Sequence, residues 1–170
     1  MTSVRFAFLA LVVGSTIGCD RVTKQMATTL LADKPTQSFL ADSVRLGYAE
    51  NVGGFLGWGA GLPPVVRAGL FTVATGVLLL ALLVLLLRSP WCSWRALGFA
   101  LFIAGGMSNW IDRVFRGSVV DFLNVGIGWL RTGIFNVADV AIMLGIGLFV
   151  LSELADRGTP NNALELTRDG

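Results

Sequence analysis

Long apolar runs free of charge alternate along this chain with short polar stretches, and the runs end beside single aspartates. The clearest run lies between Arg67 and Arg88, holds no charge and closes on the uninterrupted apolar stretch from Leu78 to Leu87. A helix needs roughly 20 apolar residues to cross the hydrocarbon core of a bilayer. This run therefore predicts a transmembrane helix whose flanking arginines snorkel to the two interfaces. A first helix is expected from near Met1 to about Cys19, interrupted only by Arg5. A third is expected from after Arg95 to about Ile111, and a fourth from near Ile134 to about Ser152. These three fall short of a full charge-free span, and in each the shortfall lies beside an acid: Asp20, Asp112 or Asp139. Ionisable groups at that depth mark function by default.

Four crossings put both termini on one side, with the tight link from Arg88 to Arg95. Two longer segments, Asp20 to about Pro64 and Asp112 to about Gly133, then share the other side with every one of those carboxylates. The stretch from Leu31 to Trp58, with short alternating runs and several glycines, predicts a small sheet lying on the membrane surface. The expected fold is thus a membrane all-α protein of four transmembrane helices with a small extracytoplasmic β-rich cradle. Residues 1–155 form one integral membrane domain and residues 156–170 a disordered polar tail. Counting basic residues does not orient the chain. The side of the termini carries Arg5, Arg88, Arg95, Arg157 and Arg168, and the opposite side carries the other eight, several of them beside the carboxylates. Thr16-Ile17-Gly18-Cys19 resembles a lipoprotein cleavage box, but the remainder is far too hydrophobic for a secreted domain.

Composition agrees with this pattern. Of 170 residues, 54% are hydrophobic and 14% charged, against about 25% charged in ordinary soluble domains. A net charge of +2 without a basic cluster gives no footprint for nucleic acid. There is no histidine, which removes Ser-His-Asp and Cys-His catalysis and the H-E-x-x-H zinc site. The two cysteines, Cys19 and Cys92, fall at opposite faces and lack metal-ligand neighbours, so neither a disulfide nor a metal is expected.

The remaining chemistry belongs to carboxylates and amides. Asp20 and Lys24 are four apart and pair if the first helix continues past the interface; alone they read as an ordinary pair at a helix end. Asn109, Asp112 and Arg113 line one helical face and could grip a peptide backbone or form only an interfacial salt bridge. Gly105 and Gly106, just before them, suit close helix packing in lipid. Asp121 sits in the β-branched run Val119-Val120-Asp121-Phe122, which predicts an extended strand, and an acid there is costly unless paired or protonated. Asn136 and Asp139 share a face where the last helix opens, a place where Asp139 could do no more than cap. Asp121 and Asp139 are 18 residues apart and on one side of the membrane. Two carboxylates held close share one proton. The ionised one can deprotonate a water while the other donates to a carbonyl, giving peptide hydrolysis without histidine or metal.

These blocks resemble lipoprotein signal peptidase, also called signal peptidase II, over nearly the whole chain and in the family's order. They are Asp20-Arg21-Val22-Thr23-Lys24, Glu50-Asn51-Val52-Gly53-Gly54-Phe55, Asn109-Trp110-Ile111-Asp112-Arg113, Val119-Val120-Asp121-Phe122 and Phe135-Asn136-Val137-Ala138-Asp139. Ser108 stands where the family usually has glycine, and only Gly54 separates Gly53 from Phe55 where it often has two small residues. The resemblance implies an aspartic endopeptidase with Asp121 and Asp139 as its catalytic pair. Asn51, Asn109 and Arg113 would contact substrate or organise the site, and Asp20, Lys24, Asp112 and Asn136 would support its architecture. No cofactor is implied. The implied substrate is a diacylglyceryl-modified prolipoprotein, cut just before its lipidated cysteine, and the implied inhibitor is globomycin. The implied setting is membrane lipid of the bacterial cytoplasmic (inner) membrane, with a multi-pass monomer, both termini cytoplasmic and the site extracytoplasmic.

Three other readings compete. A small transporter would want its acids near the midplane. A Ser-Lys peptidase using Lys24 lacks a serine motif. A structural subunit would tolerate Asp→Asn exchanges that stop a peptidase.

Overall fold

The computed structural model describes residues 2–88 and 94–157. The link at 89–93, with Cys92, and the chain after Arg157 lie outside the described residues. The molecule is mostly helical, with one small antiparallel sheet.

Helix α1 runs Thr2–Leu31, twelve residues past the expected end at Cys19. No glycine or proline interrupts the stretch after Asp20, and the Thr23, Thr28 and Thr29 hydroxyls return to carbonyls of the preceding turn. At 1.5 Å per residue its 30 residues span about 45 Å, so the helix projects beyond a bilayer core of about 30 Å. The Thr16–Cys19 box lies within this unbroken helix, and Cys19 is a free, exposed thiol.

The second hydrophobic run begins as α2, Pro64–Ala68, opened by proline in its first turn. It passes through a π-helical segment, Gly69–Ala74, and continues as α3, Thr75–Arg88. Helix α4, Trp94–Arg116, is the central element and packs on α1, α3 and α5. Its buried face carries small and polar residues, among them Ala100, Ala104, Ser108, Asn109 and Asp112. Gly105 lies so near the Ala138 carbonyl that a side chain there would force the helices apart, and one at Gly106 would displace the end of Leu79, as expected of small residues in a membrane bundle. Helix α5, Val137–Arg157, starts three residues later than expected because Asn136 caps it. It also takes in the first two residues of the expected tail.

Among the described residues, three helices are long and apolar enough to cross a membrane: Ser3–Leu31, Pro64–Arg88 and Val137–Ala155. Helix α4, the expected third span, misses that measure among the described residues because its polar buried face and terminal arginines replace apolar positions.

Strands β1 (Gln37–Phe39), β2 (Val44–Asn51), β3 (Val119–Ile127) and β4 (Leu130–Arg131) form the sheet in that order, with antiparallel neighbours. The 31–58 segment thus supplies only half of it. Strand β3, which carries the acid expected on an extended run, supplies the centre. The β2–β3 register sets Ala49 opposite Asp121 and Asn51 opposite Val119, with an irregularity between Leu46 and Ala49. That register brings the end of β2 to the end of α4 and the start of α5.

Candidate active site

Where α1, α4 and α5 meet, a layer of buried charge fixes the helices. Asp20 and Asp112 have no exposed surface, and Lys24 is 2% exposed. The Lys24 ammonium lies 2.7 Å from Asp20 Oδ2 and 2.8 Å from Asp112 Oδ2, and donates to Asn109 Oδ1 at 2.7 Å. The ammonium thus faces two carboxylates and one amide oxygen. Arg21 pairs with the other Asp112 oxygen. Asp20 Oδ2 also accepts from the Ser108 hydroxyl at 2.7 Å, and Asp20 Oδ1 accepts from the Ala138 N–H at 2.8 Å. That last bond satisfies an open donor in the first turn of α5 and puts a negative charge at the helix's positive end. Asp20 therefore ties three helices together.

The second layer is built from amides. Lys24 demands the oxygen of the Asn109 amide, which turns its nitrogen toward Asp139, and Asn109 Nδ2 donates to Asp139 Oδ1 at 3.0 Å. Asn136 and Asp139 cap α5 reciprocally. Asn136 Oδ1 accepts from the Asp139 N–H at 3.0 Å, and Asp139 Oδ2 accepts from the Asn136 N–H at 3.2 Å, a capping-box arrangement. The Asn136 side chain then donates across to Asp121 Oδ1 at 2.6 Å. On the other side Asn51 Nδ2 donates to Asp121 Oδ2 at 3.0 Å, while Asn51 Oδ1 accepts from the Gly53 N–H. Asp121 and Asp139 are 3% and 8% exposed, and Asn136 contacts both. Their hydrogen-bond partners are neutral. Amides hold position without fixing ionisation, whereas a guanidinium in the same place would pin both acids as anions. Burial pushes the Asp121 carboxyl up to about 6, with the neighbouring Asp139 charge acting in the same direction and the Asn51 bond against it.

A cleft of about 810 Å³ opens beside this pair, lined by Asn109, Arg113 and Asp139 at one end and by apolar groups such as Leu56, Phe102 and Met143 elsewhere. Arg113 enters it from α4, donating to the Gly53 carbonyl at 2.6 Å. Its guanidinium carbon lies 5.9 Å from the centre of the Phe71 ring. Among the described residues no three His, Cys, Asp or Glu side chains converge as metal ligands.

Residues 12–155 match the family model for signal peptidase (SPase) II. The chain belongs to the signal peptidase II family. Lipoprotein signal peptidase of Chlorobium phaeobacteroides (strain DSM 266) is 35% identical over 141 residues, covering 78% of this chain and 81% of the relative. That of Bifidobacterium adolescentis is 36% identical over 159 residues, covering 89% and 79%. Among solved structures, a bacterial membrane enzyme determined by the in meso method at 2.3 Å superposes with a TM-score of 0.77 and 26% identity, covering 89% of this chain and 90% of that one. A second, at 1.9 Å, gives 0.76, again with 26% identity, and covers 88% and 94%. The signal peptidase II family is one of proteases.

In this member of the family, Asn109, Arg113 and Asp139 line one end of the cleft, and Asn51, Asp121 and Asn136 are joined to them by hydrogen bonds. Asp20, Lys24 and Asp112 lie in the charged layer behind them. Four participants escape a reading of the sequence. Arg21 stands within the first block and could be found there as a partner for a buried acid one face away. Ser108 departs from the family's usual glycine, and its hydroxyl serves Asp20. Phe71 and the Gly53 carbonyl reach Arg113 only through long-range packing, which leaves no local pattern.

The Asp121 shift carries a stability consequence. Its folded carboxyl titrates above the ordinary value of 3.8, so between about pH 4 and 6 the folded state binds more protons than the unfolded one and stability rises as pH falls. Thermal unfolding in detergent should therefore show a gain of about 1 kcal/mol from pH 7 to pH 4.5, screening by the open cleft included. The Asp121→Asn variant should lack it, and a wild-type profile that falls monotonically on acidification contradicts it.

Proposed function

We propose that this chain is a membrane aspartic endopeptidase that removes the signal peptide from diacylglyceryl-modified prolipoproteins, cutting just before the lipidated cysteine. The observation that carries the reading is Asn136, whose side-chain amide donates to Asp121 and whose backbone N–H donates to Asp139, among neutral amides at the mouth of an apolar cleft. The relatives' name, lipoprotein signal peptidase, supports the substrate class.

Charge balance supports a shared proton. Asp20, Asp112, Asp121 and Asp139 bring four negative charges, and Arg21, Lys24 and Arg113 bring three positive. With the part-exposed Arg21 counted, a single proton on the Asp121–Asp139 pair makes the cluster neutral, which is its cheapest state where the carboxylates are buried. In the reaction the ionised carboxylate takes a proton from water as the water oxygen attacks the scissile carbonyl carbon. The protonated carboxyl donates to the carbonyl oxygen. As the tetrahedral intermediate collapses, one carboxyl delivers its proton to the departing amine while the other, as carboxylate, takes a proton back from a hydroxyl of the intermediate, so the pair is left with the one proton it began with. Arg113, at the cleft's polar end, is suited to hold a substrate carbonyl.

The setting fits four spans, with α4 as the third crossing, shielded by the other helices from the lipid that its polar face would not tolerate. Both termini then lie in the cytoplasm, and the sheet lies as a cradle against the outer leaflet of the inner membrane. The protein works as a monomer. Acyl chains confine the substrate cysteine to the membrane plane at roughly 0.8 kcal/mol per methylene relative to water. Lipid tails are as apolar as the cleft, so the tether supplies location rather than selectivity. Globomycin is expected to block the same cleft.

Purified protein in detergent should cleave a diacylglyceryl-modified prolipoprotein with chelator present. The unlipidated precursor should be cut at least about 100-fold more slowly, the effect expected when orientation at the site is lost. Equal rates for the two precursors would remove the lipid from the reading.

A further inference from the structure

Trp110 lies one residue past Asn109 on α4 but faces away from the charged layer, toward the π segment Gly69–Ala74. Its indole N–H donates to the Thr72 carbonyl at 2.8 Å. The ring occupies the space over Gly76, where an added Cβ would come within 2.8 Å of Nε1 and 3.0 Å of Cε2. Phe71, the neighbour of Thr72, serves the other side. It lines the cleft, stacks on the Arg113 guanidinium and supports the loop that follows Asn51. Added Cβ atoms on Gly54 and on Gly59 would each meet its ring at 2.9 Å. π segments place side chains where a regular helix cannot and recur at functional sites. Here one turn of π helix carries both the residue pinned by Trp110 and the residue that meets Arg113.

We propose that Trp110 is a positioning residue: its bond to Thr72 sets the register of the π segment against α4, and that register aims Phe71 at Arg113 and seats the 53–59 loop over the cleft. The inference rests on the peptidase reading above and deepens it by assigning substrate affinity to a group that touches no substrate. Asn109 and Asp139 are anchored separately through Lys24 and Asn136. The pin therefore governs the binding end of the cleft, not the carboxylates.

Trp110→Phe keeps an aromatic ring and removes the N–H, Gly76→Ala displaces the indole, and Phe71→Leu removes the ring on Arg113. Each variant should raise KM for the lipidated precursor roughly three- to tenfold, the weight of one desolvated guanidinium–ring contact. The kcat and its pH profile should stay within about twofold, because the proton-sharing pair is untouched. Combining Trp110→Phe with Phe71→Leu should add nothing to Phe71→Leu alone, since both act through one contact. Additive effects in that pair, or a fall in kcat at unchanged KM, would overturn the inference. Chymotrypsin sensitivity of the 53–62 loop reads the same point without turnover. It should rise in Trp110→Phe and Gly76→Ala, and unchanged sensitivity in both would show that the indole does not seat the loop. Failure of the wild-type protein to cut the precursor refutes the peptidase reading and leaves that protease test of Trp110 in force.

Discussion

Asparagine at position 139 is expected to reduce cleavage of the lipidated precursor by about 10⁴-fold, the upper range for a positioned acid or base, in a protein that still folds. The substitution keeps the size and shape of the side chain, so the consequences can be traced atom by atom. Asp139 Oδ1 accepts from Asn109 and Oδ2 from the Asn136 N–H. The new amide keeps one of these acceptors and sets a donor against a donor at the other, at a cost of about 1–3 kcal/mol. Asn136 Oδ1 still caps the helix, so α5 starts where it did. What vanishes is the ability of the pair to hold and pass one proton. Asp121→Asn should be as inactive as Asp139→Asn, and the double variant no worse than either, because the two carboxyls act as one unit. Asp121→Glu keeps the acid but moves it by a methylene, and a displacement of about 1 Å costs on the order of 100-fold. The decisive measurement is single-turnover cleavage in detergent beside thermal unfolding of the same samples. More than a tenth of wild-type rate in a folded Asp139→Asn protein would end the assignment of the pair.

The sequence made the placement of the acids readable where chemistry and periodicity agreed. Asp20 and Lys24 share a face only on a helix, and α1 does continue past Cys19 to bring them together. The strand around Asp121 was legible because Val119 and Val120 favour extended backbone. Its partner was not, because pairing β3 with β2 joins residues some 70 positions apart, as in the Asn51–Asp121 bond, and no local pattern encodes such closure. The length of α1 was underestimated because its first acid, Asp20, looked like the end of a membrane span. Inside the bundle that acid is neutralised by Lys24, and the helix passes it unbroken. For a related reason α4, expected as the third span, misses the measure of an apolar membrane helix. Its polar residues face protein rather than lipid, a distinction that depends on neighbours absent from its own sequence. Nothing in residues 64–76 announces the π segment, whose partner, Trp110, lies 38 positions beyond Thr72 along the chain.

Lys24→Met should destabilise the fold by about 3–5 kcal/mol, the usual cost of leaving a buried charge without its partner. The methionine fills most of the lysine's volume, so the loss is electrostatic. Asp112 retains Arg21, and Asp20 is the acid left uncompensated. The remedy follows from its bonds. In Lys24→Met/Asp20→Asn, the asparagine oxygen can still accept from the Ala138 N–H, as Asp20 Oδ1 does. Its amide nitrogen would face the Ser108 oxygen, which can accept. The double variant should thus recover more than half of the lost stability, measured as thermal unfolding in detergent. A single Lys24→Met protein as stable as wild type would show that the ammonium does not hold the layer. Recovered stability should not restore the rate. Without Lys24 only the 3.2 Å bond from Asn136 Nδ2 holds the Asn109 oxygen in place, and an amide freed to rotate presents that oxygen, rather than its nitrogen, to Asp139. A carboxylate facing a carbonyl oxygen is held neither in place nor at the right charge, so the stable double variant should remain at least about tenfold slower than wild type, one hydrogen bond to a charged group being worth roughly that factor. Stability and turnover would then separate at one residue, because Lys24 serves the fold through Asp20 and Asp112 and the pair of acids through Asn109.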